Sequence, residues 1–249
     1  MKIINRILTA FRFLTIIPIP RFGKPTLEEF GKSMAFFPLV GFAIGAILAL
    51  IAGGLEGHAS CFLLATVLVV FWGWITGALH LEGFVDAADG FSASSDKDKI
   101  LAVMKDVHCG AKGVVATVFL VVLKIALIYD ICAGGRWASL MVIPALGRWA
   151  MVCVASTCPY GGKTEGLGLA FTKDAGIYEL SISTATVLII GCALLKWKFF
   201  LLMLFPVIFS LLAIFYLRKK FNGVTGDILG ALNEVAEVIG LASILLWKI

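Results

Sequence analysis

Seven long apolar runs restrict the fold of this chain more than any other feature. They lie at about 34–53, 59–79, 113–131, 137–156, 181–196, 199–217 and 229–247, and the run at 181–196 is the shortest. Because a helix rises 1.5 Å per residue, about 20 apolar residues cross the hydrocarbon core of a bilayer. Only 15% of the 249 residues are charged, against about 25% in soluble domains. The sequence therefore predicts an all-α, polytopic membrane protein with six or seven transmembrane helices, in a single domain over residues 1–249.

The first 33 residues are predicted to form an interfacial segment. Within Met1–Ile19 the apolar residues recur at helical spacing, and Lys2, Arg6 and Arg12 fall on the opposite face. This stretch has too many charges for a span, and no signal-peptide cleavage site follows it. We expect an amphipathic helix that lies in the cytoplasmic interface and ends before the prolines at positions 18 and 20.

The distribution of charge predicts the orientation. With the amino terminus in the cytoplasm, 15 of the 21 Lys and Arg residues fall on the cytoplasmic side, four fall outside, and Lys124 and Arg148 fall within spans. Positive charge in short loops marks the cytoplasmic side, so the chain is expected in the cell (inner or plasma) membrane, with loops 80–112 and 157–180 in the cytoplasm. The net charge of +5 follows from this bias and does not indicate a nucleic-acid partner. The bilayer midplane is expected to hold little polar chemistry beyond Lys124.

The densest cluster of acidic residues lies between Gly77 and Gly113. Glu82, Asp86 and Asp89 are separated by four and then three residues, so a helix places all three carboxylates on one face. Stacked carboxylates repel one another unless a cation neutralises them, and such hard oxygen ligands suit Mg²⁺ or Mn²⁺. The alternative is a solvated acidic helix end. We expect a cytoplasmic catalytic segment over 80–112 that binds Mg²⁺ through these three residues.

Further polar residues are expected on the same face. Asp106 would complete the metal site, and Lys105 and Lys112 would face phosphate oxygens. Asp227 is either the N-cap of the last helix or a catalytic group. The remaining candidates are Glu234, on an otherwise apolar helix where a carboxylate is costly, and Lys163, in a glycine-containing loop. A cytoplasmic carboxylate–metal site suits phosphoryl transfer.

The order of motifs along the chain resembles the cobalamin synthase family of adenosylcobinamide-GDP ribazoletransferases. The resemblance covers nearly the whole chain. It rests on Phe13-Leu14-Thr15, Ile17-Pro18-Ile19-Pro20, Phe37-Pro38-Leu39-Val40-Gly41, Ile44-Gly45, Leu79-His80-Leu81-Glu82-Gly83, Asp86-Ala87-Ala88-Asp89-Gly90, Met104-Lys105-Asp106, Gly110, Gly113, Lys124, Gly147-Arg148, Pro159-Tyr160, Gly166-Leu167-Gly168 and Gly223-Val224-Thr225-Gly226-Asp227.

The resemblance implies a reaction and a set of roles. A ribose hydroxyl of α-ribazole, or of α-ribazole 5′-phosphate, would attack adenosylcobinamide-GDP, releasing GMP and forming adenosylcobalamin or its 5′-phosphate. Asp86 and Asp89 would bind Mg²⁺ and the diphosphate, and Asp227 and Glu234 would form a second carboxylate group that contains the base. The remaining motif residues expected to bind substrate are His80 and Arg148.

Two departures and three alternatives accompany this interpretation. The family usually has aspartate at Glu82 and serine-arginine at Val107-His108, so a phosphate contact at the latter position is lost.

A CDP-alcohol phosphotransferase acting on lipid would share the metal chemistry, although the later paired aspartates of that pattern are missing. A corrinoid or small-molecule transporter would need a polar site at the midplane, and a scaffold would need no stacked acids. Membrane lipid is an expected partner, and the sequence leaves a homo-oligomer open.

Overall fold

The computed structural model describes residues 2–20, 25–134, 136–162 and 167–247. This described part is helical, and the helices confirm the all-α fold class. A short 3₁₀ helix spans Met34–Phe36. The helices are α1 Lys2–Leu14, α2 Leu27–Ser33, α3 Phe37–Leu55, α4 Cys61–Ile75, α5 Leu79–Ala93, α6 Lys97–Val103, α7 Ala111–Ala133, α8 Trp137–Ala155, α9 Leu167–Asp174, α10 Ile177–Leu195, α11 Lys198–Phe221 and α12 Gly226–Trp247.

The number of spans agrees with the prediction. Six segments of the described chain are long and apolar enough to cross a membrane, and the pair α4–α5 makes a seventh if it is one bent span. The shortest run, 181–196, belongs to α10, a helix of 19 residues. Helix α8 lies at the centre of these helices. Sixteen of its 19 residues are buried, and it packs against α3, α10, α11 and α12.

A sharp break separates α4 from α5. Gly77 and Ala78 both adopt the left-handed backbone conformation, with φ values of 59° and 55°, and the two helices meet at 91°. Non-glycine residues adopt this conformation rarely, and here it ends α4 and redirects the chain. The segment 80–112 was predicted as a loop. It is mostly helical, because it contains α5 and α6.

The amino-terminal helix exists where the sequence predicted it. Ile3 and Ile4 of α1 are exposed, while Ala10 and Leu14 are buried against the rest of the protein. Phe13 lies in an aromatic cluster with Phe30, Phe37 and Phe171, at centroid distances of 6.0, 5.9 and 5.0 Å. The cluster joins α1 to α2, α3 and α9. That α1 lies in a membrane interface stays a prediction.

Candidate active site

Helices α5 and α12 cross with their backbones in contact. A Cβ atom on Gly83 would lie 2.9 Å from the backbone oxygen of Asp227 and 3.3 Å from Cα of Gly230, and one on Gly230 would lie 3.3 Å from the backbone oxygen of His80. A side chain at Gly83 would therefore push the two helices apart. This close approach places the acidic residues of α5 beside Asp227 at the start of α12.

A pocket of about 250 Å³ opens at this crossing. Glu82 and Asp86 line it from α5 and Asp227 lines it from α12. The charge of Asp86 is repelled by the carboxylates of Asp227, Glu82 and Asp89, so the pocket concentrates negative charge. Among the described residues, no three His, Cys, Asp or Glu side chains are grouped closely enough to hold a metal ion by themselves.

Asp89 points away from the predicted metal site. Its Oδ2 accepts a hydrogen bond from the backbone N–H of Gly110 at 2.7 Å, and its Oδ1 accepts one from that of Gly113 at 2.7 Å. A Cβ atom on either glycine would lie within 2.4 Å of this carboxylate. Asp89 therefore caps the amino terminus of α7, where unpaired N–H groups favour an anion. Asp89 therefore does not join Glu82 and Asp86 in one site, as the spacing had predicted. The third carboxylate that lines the pocket belongs to Asp227.

We expect Asp89→Asn to lower stability. An asparagine side chain has one acceptor oxygen where the carboxylate has two, and hydrogen bonds to charged groups contribute about 1.5–3 kcal/mol each. The free energy of unfolding in mixed micelles should fall by about that amount. Asp96 is the matched control, because its side chain caps α6 at 3.1 Å from the backbone nitrogen of Lys99 and asparagine caps a helix about as well. An unchanged free energy for Asp89→Asn would contradict the capping role.

The segment between α6 and α7 lies outside the pocket. Asp106 accepts hydrogen bonds from the backbone N–H of His108 at 3.0 Å and lies 2.8 Å from the His108 ring. These bonds lower the pKa of Asp106, and its side chain does not line the pocket. Lys112 donates to the backbone oxygen of Ser92 at 3.2 Å, whereas the charge of Lys105 acts on Asp227. Of these three residues, Lys105 has the direct electrostatic link to the pocket.

The segment before α12 is held by a short backbone bridge. Val224 donates to the oxygen of Pro159 at 2.9 Å, and Gly161 donates to the oxygen of Val224 at 3.0 Å. Two motifs that are distant in sequence therefore meet beside the pocket. Lys163, in the same loop, lies outside the described residues.

Asp227 is not the N-cap of α12. The helix begins at Gly226, and the side chain of the preceding residue, Thr225, accepts a hydrogen bond from the backbone N–H of Ile228 at 3.4 Å. Because Thr225 provides the cap, the carboxylate of Asp227 remains available to the pocket. The alternative role considered for Asp227 in the sequence is wrong.

A buried network of charged residues links α7, α8 and α12. Lys124 donates to Glu234 at 2.6 Å and to Glu237 at 2.5 Å, and Arg148 also pairs with Glu237. Trp72 covers Lys124, with its ring centroid 4.6 Å from Nζ. All four charged residues are at most 5% exposed. The expectation of an almost apolar midplane is therefore wrong, because Glu237, Lys124 and Arg148 all lie near the middle of their helices.

Two predicted site residues belong to this network and do not line the pocket. Arg148, expected to bind substrate, is fully buried and also donates to the backbone oxygen of Pro144 at 3.2 Å. Glu234, expected to be catalytic, lies beside Lys124 and does not line the pocket. Glu237 was not among the predicted site residues. A carboxylate within an apolar run was the signal for it, since such groups seldom occur without a role.

His80, Phe13 and Phe171 complete the pocket. His80 is 3% exposed, and no hydrogen-bond partner for its Nε2 exists among the described residues. Buried polar atoms are normally paired, so this nitrogen is a candidate hydrogen-bonding atom for a ligand. The substrate contact expected of His80 stays a prediction. The two phenylalanines could not be predicted as site residues, because only the packing of α1 and α9 brings them there.

The chain is similar to known proteins over nearly its whole length. The family model described as cobalamin-5-phosphate synthase matches residues 6–245. Adenosylcobinamide-GDP ribazoletransferase of Thermoanaerobacter sp. (strain X514) is 34% identical over 242 residues, covering 97% of each chain. The proteins of the same name from Acetivibrio thermocellus and Acinetobacter baumannii (strain ACICU) are 33% and 36% identical, covering 100% and 92% of each chain. No solved structure matches. The chain belongs to the cobalamin-5-phosphate synthase family.

Proposed function

We propose that this protein transfers the adenosylcobinamide phosphate group of adenosylcobinamide-GDP to α-ribazole or α-ribazole 5′-phosphate. Membership of the family supports a transferase of cobalamin synthesis, and the names of the relatives supply the donor. One structural observation carries the assignment to this pocket: Glu82, Asp86 and Asp227 line it together. The pocket thus provides the carboxylates that diphosphate chemistry needs, on two helices that touch at Gly83 and Gly230.

The reaction exchanges one P–O bond for another. A ribose hydroxyl of the acceptor loses its proton, and its oxygen forms a bond to the cobinamide-bearing phosphorus. The bond from that phosphorus to the bridging oxygen of the diphosphate breaks, and GMP leaves with this oxygen. We assign the carboxylate of Asp227 as the proton acceptor, since it is the pocket carboxylate on α12 and thus faces those on α5. The positive charge of Lys105 acts at the same place, where it would hold a phosphate oxygen.

The pocket carboxylates suit Mg²⁺. Glu82 and Asp86 offer hard oxygen ligands, and Mg²⁺ in phosphoryl-transfer sites takes one or two carboxylates together with substrate phosphates. Among the described residues, no three His, Cys, Asp or Glu side chains could hold a metal ion by themselves. Substrate phosphates would therefore supply further ligands. We propose that these two residues hold Mg²⁺, which supplies neutralisation of the charge on the diphosphate. His80 would hydrogen-bond the bound substrate through Nε2.

The direct test is a transfer assay. Purified protein is incubated with adenosylcobinamide-GDP, α-ribazole and Mg²⁺, and GMP and a cobalamin are quantified. We expect both products in equal amounts and neither after chelation of the metal. A parallel reaction with CDP-diacylglycerol and an alcohol acceptor examines the lipid phosphotransferase alternative. Release of CMP there, without cobalamin in the first reaction, would overturn the proposal.

The active site is proposed to face the cytoplasm. In a cysteine-free background, Asp96→Cys, in the segment between α5 and α6, should react with an impermeant maleimide only after the cytoplasmic side is opened. Glu56→Cys, at the end of α3, should react from outside in intact cells. The expectation follows from the positive-inside distribution of charge. Labelling of position 96 in intact cells would reverse the orientation.

A further inference from the structure

An apolar furrow runs along the surface between α11 and α12. Its two parts have volumes of about 390 and 520 Å³ and lie next to each other, since Phe209 and Leu212 line both. The first part also touches α5 through Phe84 and Phe91. Along the furrow the lining is almost entirely apolar, and Leu212 is 64% exposed.

The furrow is nearly as long as the hydrocarbon core of a bilayer is thick. Its lining on α12 begins at Ile228 and ends at Leu246, which is about 27 Å at 1.5 Å per residue. The hydrocarbon core is about 30 Å thick. Tyr216 lies at one end, and Trp247, stacked with Phe205 at 6.5 Å between ring centroids, lies at the other. Tyr and Trp are enriched at the two membrane–water interfaces, so the furrow has the length and surroundings of an acyl-chain site.

One end of the furrow carries positive charge. The Nζ atom of Lys220 lies 5.5 Å from the ring centroid of Tyr216 and 5.8 Å from that of Phe91, and both rings line the furrow. Lys219 beside it is exposed. A cation over the mouth of an apolar channel at an aromatic interface complements a ligand with an anionic head and an apolar tail.

We propose that the furrow binds an anionic phospholipid, with its phosphate at Lys220 and an acyl chain between α11 and α12. The apolar lining receives the chain, and the lysine selects a headgroup with net negative charge. Because a basic side chain near an anionic lipid surface contributes about 1 kcal/mol, the preference over a zwitterionic lipid is about fivefold.

Photo-crosslinking in vesicles tests the site. The full chain is reconstituted in phosphatidylcholine that contains phosphatidylglycerol with a diazirine in its acyl chain, and labelled peptides are identified by mass spectrometry. We expect labels within 205–217 and 228–246, and about fivefold less label from phosphatidylcholine carrying the same diazirine. Lys220→Glu should remove the preference for phosphatidylglycerol. Ala231→Phe should block labelling of the furrow by filling it.

One matched variant serves as the control, and three results would contradict the proposal. Lys198→Glu changes a lysine at the opposite end of α11, and it should leave the labelling unchanged. Equal labelling by the two lipids, or an unchanged preference in Lys220→Glu, would show ordinary bilayer contact and overturn the proposal. Crosslinks from a diazirine amino acid at position 212 to a second copy of the chain would do the same, because they would identify the furrow as a dimer interface.

Discussion

Asp227→Asn is expected to lower the turnover number by a factor on the order of 10²–10⁴, which is the usual contribution of a general base. The amide keeps the shape of the side chain but cannot take the proton of the ribose hydroxyl. The affinity for adenosylcobinamide-GDP should change much less, because the lost interaction belongs to the transition state. Turnover and donor binding are measured separately, by GMP release and by calorimetry.

Stability separates this role from a structural one. Thr225 provides the cap of α12, and Asp227 is repelled by Glu82 and Asp86. Removal of its charge should therefore leave the melting temperature unchanged or raise it. The exposed cap residue Asp96 again supplies the control, since Asp96→Asn should change neither quantity. Wild-type turnover in Asp227→Asn, or a fall in its melting temperature with lost activity, would reject the proposed base.

Asp86→Asn should also lose most activity, for a different reason. Asp86 is assigned to the metal and diphosphate, and loss of a ligand removes charge neutralisation worth several kcal/mol in the transition state. Raising the Mg²⁺ concentration should recover part of the activity of Asp86→Asn and none of that of Asp227→Asn. Glu82→Asp keeps a carboxylate and should retain activity. An Mg²⁺ response shared by both asparagine variants would contradict the separate roles.

The sequence predicts the spans well because their signal is local. Six of the apolar runs lie on helices that are long and apolar enough to cross a bilayer, and the run at 59–79 lies on α4, which reaches that length only together with α5. The spacing of Glu82 and Asp86 likewise predicted a shared helix face, and both residues line the pocket. Such features depend on neighbours in sequence, within one or two helical turns.

Features that depend on packing could not be predicted in the same way. The spacing alone assigned Asp89 to the same face, but the backbone N–H groups of Gly110 and Gly113 take its carboxylate. These donors lie more than 20 residues further along the chain. The ion pair between Lys124 and Glu234 could not be predicted either, because the two residues are 110 positions apart in the sequence. Long-range pairing decides which acid lines the pocket and which caps a helix.

Lys124→Met is expected to destabilise the protein by about 3–5 kcal/mol, as for the loss of one partner of a buried ion pair. The substitution leaves Glu234 and Glu237 close together without the cation that joins them. Methionine has a similar length, so the change in packing is small. The free energy of unfolding in mixed micelles measures the effect. Lys198→Met, at an exposed position, should cause almost no change.

The double variant Lys124→Met/Glu234→Gln tests the electrostatic cause. It removes one positive and one negative charge, and it leaves Arg148 paired with Glu237. We expect it to be more stable than the sum of the single effects by about 0.5–3 kcal/mol, the range of coupling energies for residues in one network. Additive losses would show that Lys124 contributes packing alone.

The same network should influence catalysis through the orientation of α12. Asp227, Gly230, Glu234 and Glu237 follow one another at intervals of three, four and three residues, so they share one face of the helix. Pairing of the two glutamates with Lys124 therefore fixes the rotation of α12 about its axis, and with it the direction of the Asp227 side chain. Lys124→Met should lower turnover even under conditions where the variant is fully folded, and Glu234→Gln in the same chain should restore part of it. Full activity of folded Lys124→Met would confine the network to stability.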